Sequence, residues 1–266
     1  MRGIISGRRQ LECINKDGRR RRWKASFRSI LESKLHGTRF RRARMRGMTG
    51  LIAALLCVWS VPAATENKGR IAACSSPLTE EIPTSCVVSP DGLWRGSRPR
   101  RAGAEWLLCH GVRTVVNLEW LYDDMKAFQV AQPSKVLSEK IAYFRIRESE
   151  SYVLLPPSVL DSDVAKFLAI VKTQPKPIYV HCRSGQNRTG VMVAAYRVLL
   201  EGWSPKDAKD EMGKYKGIWF KLDAKYIDSL KGKHRAALEA LINSRLKNVR
   251  PTASLTCSVK GCEEKK

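Results

Sequence analysis

The residues whose spacing carries most chemistry are His181, Cys182, Arg188 and Thr189, within the run PIYVHCRSGQNRTG at 177–190. Ile178, Tyr179 and Val180 read as a buried strand, the residues after Cys182 as a tight loop, and the apolar residues 191–194 as the opening of a helix. A strand, a loop and a helix start together turn backbone N–H groups toward an anion. Gly185 permits the turn. Arg188 presents a planar fork that matches two phosphate oxygens. Cys182 stands at the base of this loop, where inward N–H groups, a helix N-terminus and Arg188 all favour a thiolate. A thiolate in a phosphate-sized cup predicts attack on a phosphate monoester, giving a phosphocysteine that water then hydrolyses. Arg183, Ser184, Gly185, Gln186, Asn187 and Arg188 are the expected phosphate-binding residues, steadying the equatorial oxygens in the transition state. Thr189 is placed to donate a hydrogen bond to the sulfur and help it leave, and His181 to orient the loop rather than act as the base.

The segment resembles the His-Cys-x5-Arg-Ser/Thr signature of the cysteine-dependent protein tyrosine phosphatase superfamily, carried here by His181, Cys182, Arg188 and Thr189, with Gly190 also fitting. A match of six constrained positions in ten would arise by chance with a probability of about 10⁻⁵ or less. LWRGSRP (93–99), GVRTVVNLEW (111–120) and AAYRVLLEGWSPKDAKDEM (194–212) look like parts of compact bacterial dual-specificity-type members, so the resemblance covers about 92–220. It implies the superfamily's α/β sandwich, with a central parallel-rich sheet and helices on both faces, and hydrolysis of phosphotyrosine and other phosphate monoesters. The family takes its leaving-group proton from an Asp on a loop upstream of the signature. The corresponding loop, 145–152, holds Glu148 and Glu150 but no Asp, and these two carboxylates are equal candidates for the general acid. Asp161 and Asp163 fit a helix start better.

Short apolar runs at 93–96, 113–118, 142–146 and 177–181 predict buried strands. Helical patterns cover 102–110, 157–173, 189–201, 205–215 and 224–247, with Ser204-Pro205 as a helix start. This alternation predicts an α/β domain over 92–247. A loosely structured lead-in (65–91) precedes it and a polar tail (248–266) follows.

The chain has 266 residues and a net charge of +24. Residues 1–48 hold 16 Lys/Arg against three acids, and 1–44 show no apolar period, so a basic disordered extension is expected there. The run at 45–64, MRGMTGLIAALLCVWSVPAA, has the basic, apolar and small-residue order of a secretory signal peptide. It predicts an exported, periplasmic or secreted protein, or a membrane-anchored one with membrane contact through 45–64 if the segment is retained. The remaining charge suits a phosphorylated protein or small phosphate ester as partner, and no nucleic acid is expected. Two cysteine pairs, Cys74 with Cys86 and Cys257 with Cys262, suit disulfides in an oxidising compartment. No pair has zinc-like spacing near a second pair, so neither a metal nor a cofactor is expected. Depth of the cup, which separates phosphotyrosine from broader substrates, is not written in the sequence. Arg183 in the loop favours phosphoinositides or inositol phosphates only slightly. Lys214, Lys216, Lys221 and Lys225 with Tyr215, Trp219 and Phe220 suit either an anionic substrate or a solvated face over core aromatics. The rival to an enzyme is a catalytically weak module that binds phosphate without turnover.

Overall fold

The four apolar runs are buried along most of their length, as strands with helices on both sides must be, with Trp94 and Ala142 half-buried. They form β2 (Leu93–Ser97), β3 (Thr114–Asn117), β4 (Lys140–Arg145) and β5 (Ile178–Cys182). Successive residues feed opposite cores. Val116, Phe144 and Val180 pack on one face of the sheet, and Val115, Tyr143 and Tyr179 on the other. The computed structural model describes residues 77–146, 157–215 and 220–265, without the side chains of 157–159 and 220–222. Glu148, Glu150, the basic extension, the 45–64 segment and Cys74 lie outside the described residues.

With β1 (Cys86–Ser89), β6 (Ala253–Ser258) and β7 (Gly261–Glu264), the sheet runs in the order β1-β2-β5-β3-β4-β6-β7. The four central strands are mutually parallel, and β1, β6 and β7 add antiparallel edges. One face carries α1 (Arg101–Cys109) and α2 (Met125–Gln129), through Leu107, Leu108 and Phe128. The other carries α3 (Pro157–Thr173), α4 (Asn187–Leu199), α5 (Pro205–Gly213), α6 (Phe220–Ser229) and α7 (Gly232–Arg245). This is the expected parallel-rich sandwich. Ser204 caps α5 as its sequence predicts, accepting from the Asp207 amide at 3.1 Å with Pro205 in the first turn.

Three expectations need correction. The lead-in contains β1, which pairs with β2, so part of it is sheet. Residues 248–266 are not a tail. After a single 3₁₀ turn (Leu246–Asn248) they form the β6–β7 hairpin on the open edge of β4. Ala253, Leu255 and Cys257 face the core in alternation with polar residues, and a disulfide joins Cys257 to Cys262. The helix expected over 224–247 is two helices, because the chain breaks before Gly232, whose φ of +55 opens α7. Cys86 and Cys109 are also disulfide-bonded. No helix among the described residues is long and apolar enough to cross a membrane.

Candidate functional site

β5 ends on Cys182 at the carboxyl edge of the parallel strands, where α/β folds bind their ligands. β2 and β3 flank it, with Ser97 opposite Cys182 and Asn117 opposite His181. Residues 183–186 turn the chain into α4, which brings Arg188 and Thr189 back over the strand end. Cys182 is 2% exposed and is the free cysteine among the described residues.

The loop is shaped by its carbonyls. The Arg183 carbonyl accepts from the Arg98 amide at 3.4 Å, the Ser184 carbonyl from Thr84 Oγ1 at 2.9 Å, and the Gly185 carbonyl from Arg95 Nη2 at 2.7 Å. In a planar trans peptide the N–H points opposite to the C=O. The amides of Ser184, Gly185 and Gln186 therefore face away from β1 and β2, and none has an acceptor among the described residues. Gly185 has φ +70, and a Cβ there would lie 2.4 Å from Thr84 Oγ1 and 2.5 Å from the Gly96 carbonyl carbon. Only glycine fits this close approach.

Arg95 lies beneath the loop, 1% exposed, with its guanidinium 3.7 Å from the centre of the Tyr215 ring. Apart from the bond to Gly185, its Nε and Nη1 are buried without partners. Burial lowers its pKa, against attraction from Tyr215, Glu211 and Cys182. One arm of Arg188 donates to the Leu118 carbonyl at 2.9 Å, which ties the start of α4 to the end of β3. The Thr189 hydroxyl is buried and makes no hydrogen bond, so the expected bond to the sulfur is not formed in this structure. Arg183 and Ser184 are exposed at the mouth, while Gln186 and Asn187 are half-buried.

His181 is completely buried. Its Nε2 lies 3.0 Å from Asp124 Oδ2, close enough for an ion pair although the N–H is not aligned on the oxygen. Its ring stacks near Tyr179, whose hydroxyl donates to the Ser97 carbonyl at 2.5 Å. Asp124 Oδ1 accepts from Asn117 Nδ2 at 2.7 Å and from the Tyr143 hydroxyl at 2.5 Å. Burial pushes the Asp124 carboxyl up, but the His181 charge and the hydrogen bonds outweigh it, and its pKa is lowered. Burial and then Asp124 raise the pKa of Tyr143.

The loop after β3 forms one wall. Arg145 Nη2 lies 2.8–3.1 Å from the carbonyls of Glu119, Trp120 and Tyr122, and its Nη1 meets Asp123 at 3.2 Å. Arg98 forks onto Glu119 and stacks over Tyr122. The three carboxylates of the loop after β3 are thus each engaged: Glu119 by Arg98, Asp123 by Arg145 and Asp124 by His181. Asp161 is not a helix-start residue. It lies about one turn into α3 and holds His234 and the Tyr226 hydroxyl, while Asp163 is buried nearly two turns into the same helix. Tyr215, from the basic-aromatic cluster, covers Arg95. Among the described residues no group of three His, Cys, Asp or Glu side chains could hold a metal.

Sequence reasoning finds the loop and misses what holds it. Arg95 had a signal, a full charge inside the apolar run LWRGS. Asp124 and Arg145 had none, because their roles depend on strands brought together by the fold.

Residues 86–224 match the family described as "PTP-NADK: DSP-PTPase phosphatase fused to NAD+ Kinase". The dual specificity protein phosphatase TpbA of Pseudomonas aeruginosa is 29% identical over 125 residues, 45% of this chain and 49% of TpbA. The probable chloroplastic NAD kinase 2 of Oryza sativa subsp. japonica is 30% identical over 108 residues, 40% of this chain and 10% of that protein. The chain thus spans about half of TpbA and a small part of the plant protein. Among solved structures, P. aeruginosa TpbA aligns with TM-score 0.44 and 20% identity, over 64% of this chain and 99% of that one. The catalytic core of the PP-IP phosphatase SIW14 from S. cerevisiae aligns with TM-score 0.46 and 19% identity, over 62% and 95%. On the match over residues 86–224, with the loop that carries Cys182 and Arg188 inside it, the chain belongs to the DSP-PTPase family.

Proposed function

We propose that the protein is a cysteine-dependent phosphatase that hydrolyses phosphate monoesters, with protein phosphotyrosine as the leading substrate and phosphoserine or phosphothreonine as further ones. The single observation that carries this is the buried free Cys182 at the base of a loop whose Arg183, Ser184 and Gly185 carbonyls are pulled outward. The Cys182 thiolate attacks phosphorus and the ester oxygen leaves, giving a phosphocysteine. The amides of Ser184, Gly185 and Gln186, with the Arg188 guanidinium, take the equatorial oxygens. Water then attacks phosphorus, and the sulfur departs as thiolate with Thr189 as its hydrogen-bond donor. Glu148 or Glu150 protonates the leaving oxygen. The engagement of Glu119, Asp123 and Asp124 in ion pairs supports this choice. Export through 45–64 is part of the proposal, and the disulfide-bonded state of Cys86, Cys109, Cys257 and Cys262 supports an oxidising compartment.

The test is turnover by residues 65–266 on phosphotyrosine, phosphoserine, phosphoinositide and inositol phosphate substrates. Cys182→Ser is expected to abolish turnover. Glu148→Gln or Glu150→Gln is expected to slow alkyl esters by ~10²-fold or more while sparing aryl esters, whose leaving groups need less protonation. Phosphopeptide binding without turnover in the unmodified chain would sink the enzyme reading.

A further inference from the structure

A second basic site lies on the face away from α1. α3, the end of α7 and the turn after it line an open-sided cavity of about 300 Å³ that Phe144 also lines, with Lys166, Arg245 and Arg250 as its charged lining and no Asp or Glu. That volume is at the lower end of small-molecule sites. None of the three cations has a carboxylate partner among the described residues. Lys166 Nζ donates to the Arg145 carbonyl at 3.0 Å, and Arg245 Nη2 to Ser162 Oγ at 2.8 Å, while Arg245 Nε is buried without a partner. A cation in the last turn of α7 is favoured by the helix dipole, which accounts for Arg245. It does not account for Lys166 in the middle of α3 or for Arg250 beyond the turn. Three like charges around one cavity repel each other, and an anion seated among them would remove that cost.

We propose that this cavity binds a small polyanion carrying at least two phosphoryl groups, at a site separate from the Cys182 loop. Three cations on three segments exceed what one phosphate can neutralise. Two arginines offer planar forks for phosphate oxygens, and Ser162 and Asn248 add polar contacts. The group arrives either on a soluble molecule or on a lipid headgroup. Binding here does not depend on turnover at Cys182, so the two readings fail separately.

Calorimetric titration of pyrophosphate into the full chain carrying Cys182→Ser tests the site, with thermal melts confirming that each variant folds. Two binding events are expected. Adding Arg245→Gln and Arg250→Gln should weaken one at least tenfold, and adding Arg188→Met should remove the other. Arg250→Gln alone, at an exposed position, should weaken the first about threefold or more. A single event that is lost with Arg188→Met and untouched by the cavity variants, with no Arg250-dependent vesicle binding in the second arm, overturns the proposal. Orthophosphate should bind the cavity at least tenfold more weakly than pyrophosphate, and equal affinities overturn the requirement for two groups. Phosphatidylcholine vesicles containing phosphatidylinositol bisphosphate form the second arm. Vesicle binding lost in Arg250→Gln, without a pyrophosphate event, supports the cavity and assigns it to a headgroup. No cavity-dependent signal in either arm overturns it.

Discussion

Arg95 and Arg197 are both 1% exposed, and both lie over an aromatic ring. Their surroundings differ sharply. Arg197 gives Nε and Nη2 to the two oxygens of Glu211 at 3.0 and 2.8 Å, and Nη1 to Glu201 at 2.6 Å. Arg95 has one carbonyl and no carboxylate bond. A guanidinium cannot shed its proton to escape burial. Arg197 is therefore a compensated charge that locks α4 to α5, whereas Arg95 is left with capacity that no protein group uses. Asp223 shows a third solution. It is buried with Oδ2 unpartnered, and burial pushes its pKa up to about 7, so it is protonated over the acid and near-neutral range. The comparison teaches that a buried charge kept without a counter-charge needs a reason outside stability. For Arg95 that reason is the loop it holds and, in the proposed function, the anion charge that gathers there.

The largest effect should come from Arg197→Met. It strands Glu211, 10% exposed at its side chain, without its cation and should cost about 3–5 kcal/mol. Denaturant unfolding measures this, and phosphatase activity per folded molecule should be unchanged. A cost under about 1 kcal/mol would show that the pair is not a lock.

Asp223→Asn comes next. A carboxyl with a folded pKa near 7 and an ordinary value when unfolded binds its proton more tightly in the folded state. Its contribution is most favourable at low pH and is lost as pH rises from about 4 through 7. The asparagine variant should flatten that fall and gain up to about 4 kcal/mol over the parent above pH 7, seen in melts across pH. Parallel curves for the two proteins would mean that Asp223 is compensated after all.

Arg95→Met should be smallest in stability and visible in activity. It removes a hydrogen bond but also two unpartnered donors, so stability should move by about 1 kcal/mol or less. Release of the Gly185 carbonyl should lower kcat by roughly 10- to 100-fold. Unchanged kcat beside a large stability loss would make Arg95 and Arg197 the same kind of residue and end the contrast.

The sequence makes this division only half legible. Cys182, Arg188 and Gly185 can be read because one strand, loop and helix hold them within a few positions. Arg95 reaches the same loop from 90 residues away, and Asp124 reaches His181 only through the pairing of β3 with β5. The four central strands are legible because burial on both faces makes them continuously apolar. β6 is not, because ASLTCS has one face on the core and one in solvent, and its Ser and Thr read as polar chain. α2, five residues long with Phe128 as its buried residue, is too short for a periodic signal. Glu148 and Glu150 lie outside the described residues, and their candidacy comes from the sequence and from the engagement of Glu119, Asp123 and Asp124.

The β6–β7 hairpin bears on how the protein behaves in company. Lys140 to Tyr143 on β4 pair with Ala253 to Thr256, and the Cys257–Cys262 bond ties the hairpin to itself. A chain trimmed at 247, where the helical patterns stop, would leave the β4 edge unsatisfied beside an apolar face. Such an edge is a template for a strand from another molecule. The hairpin thus acts as a guard against self-association, and reduction of its disulfide would loosen that guard without touching the loop around Cys182.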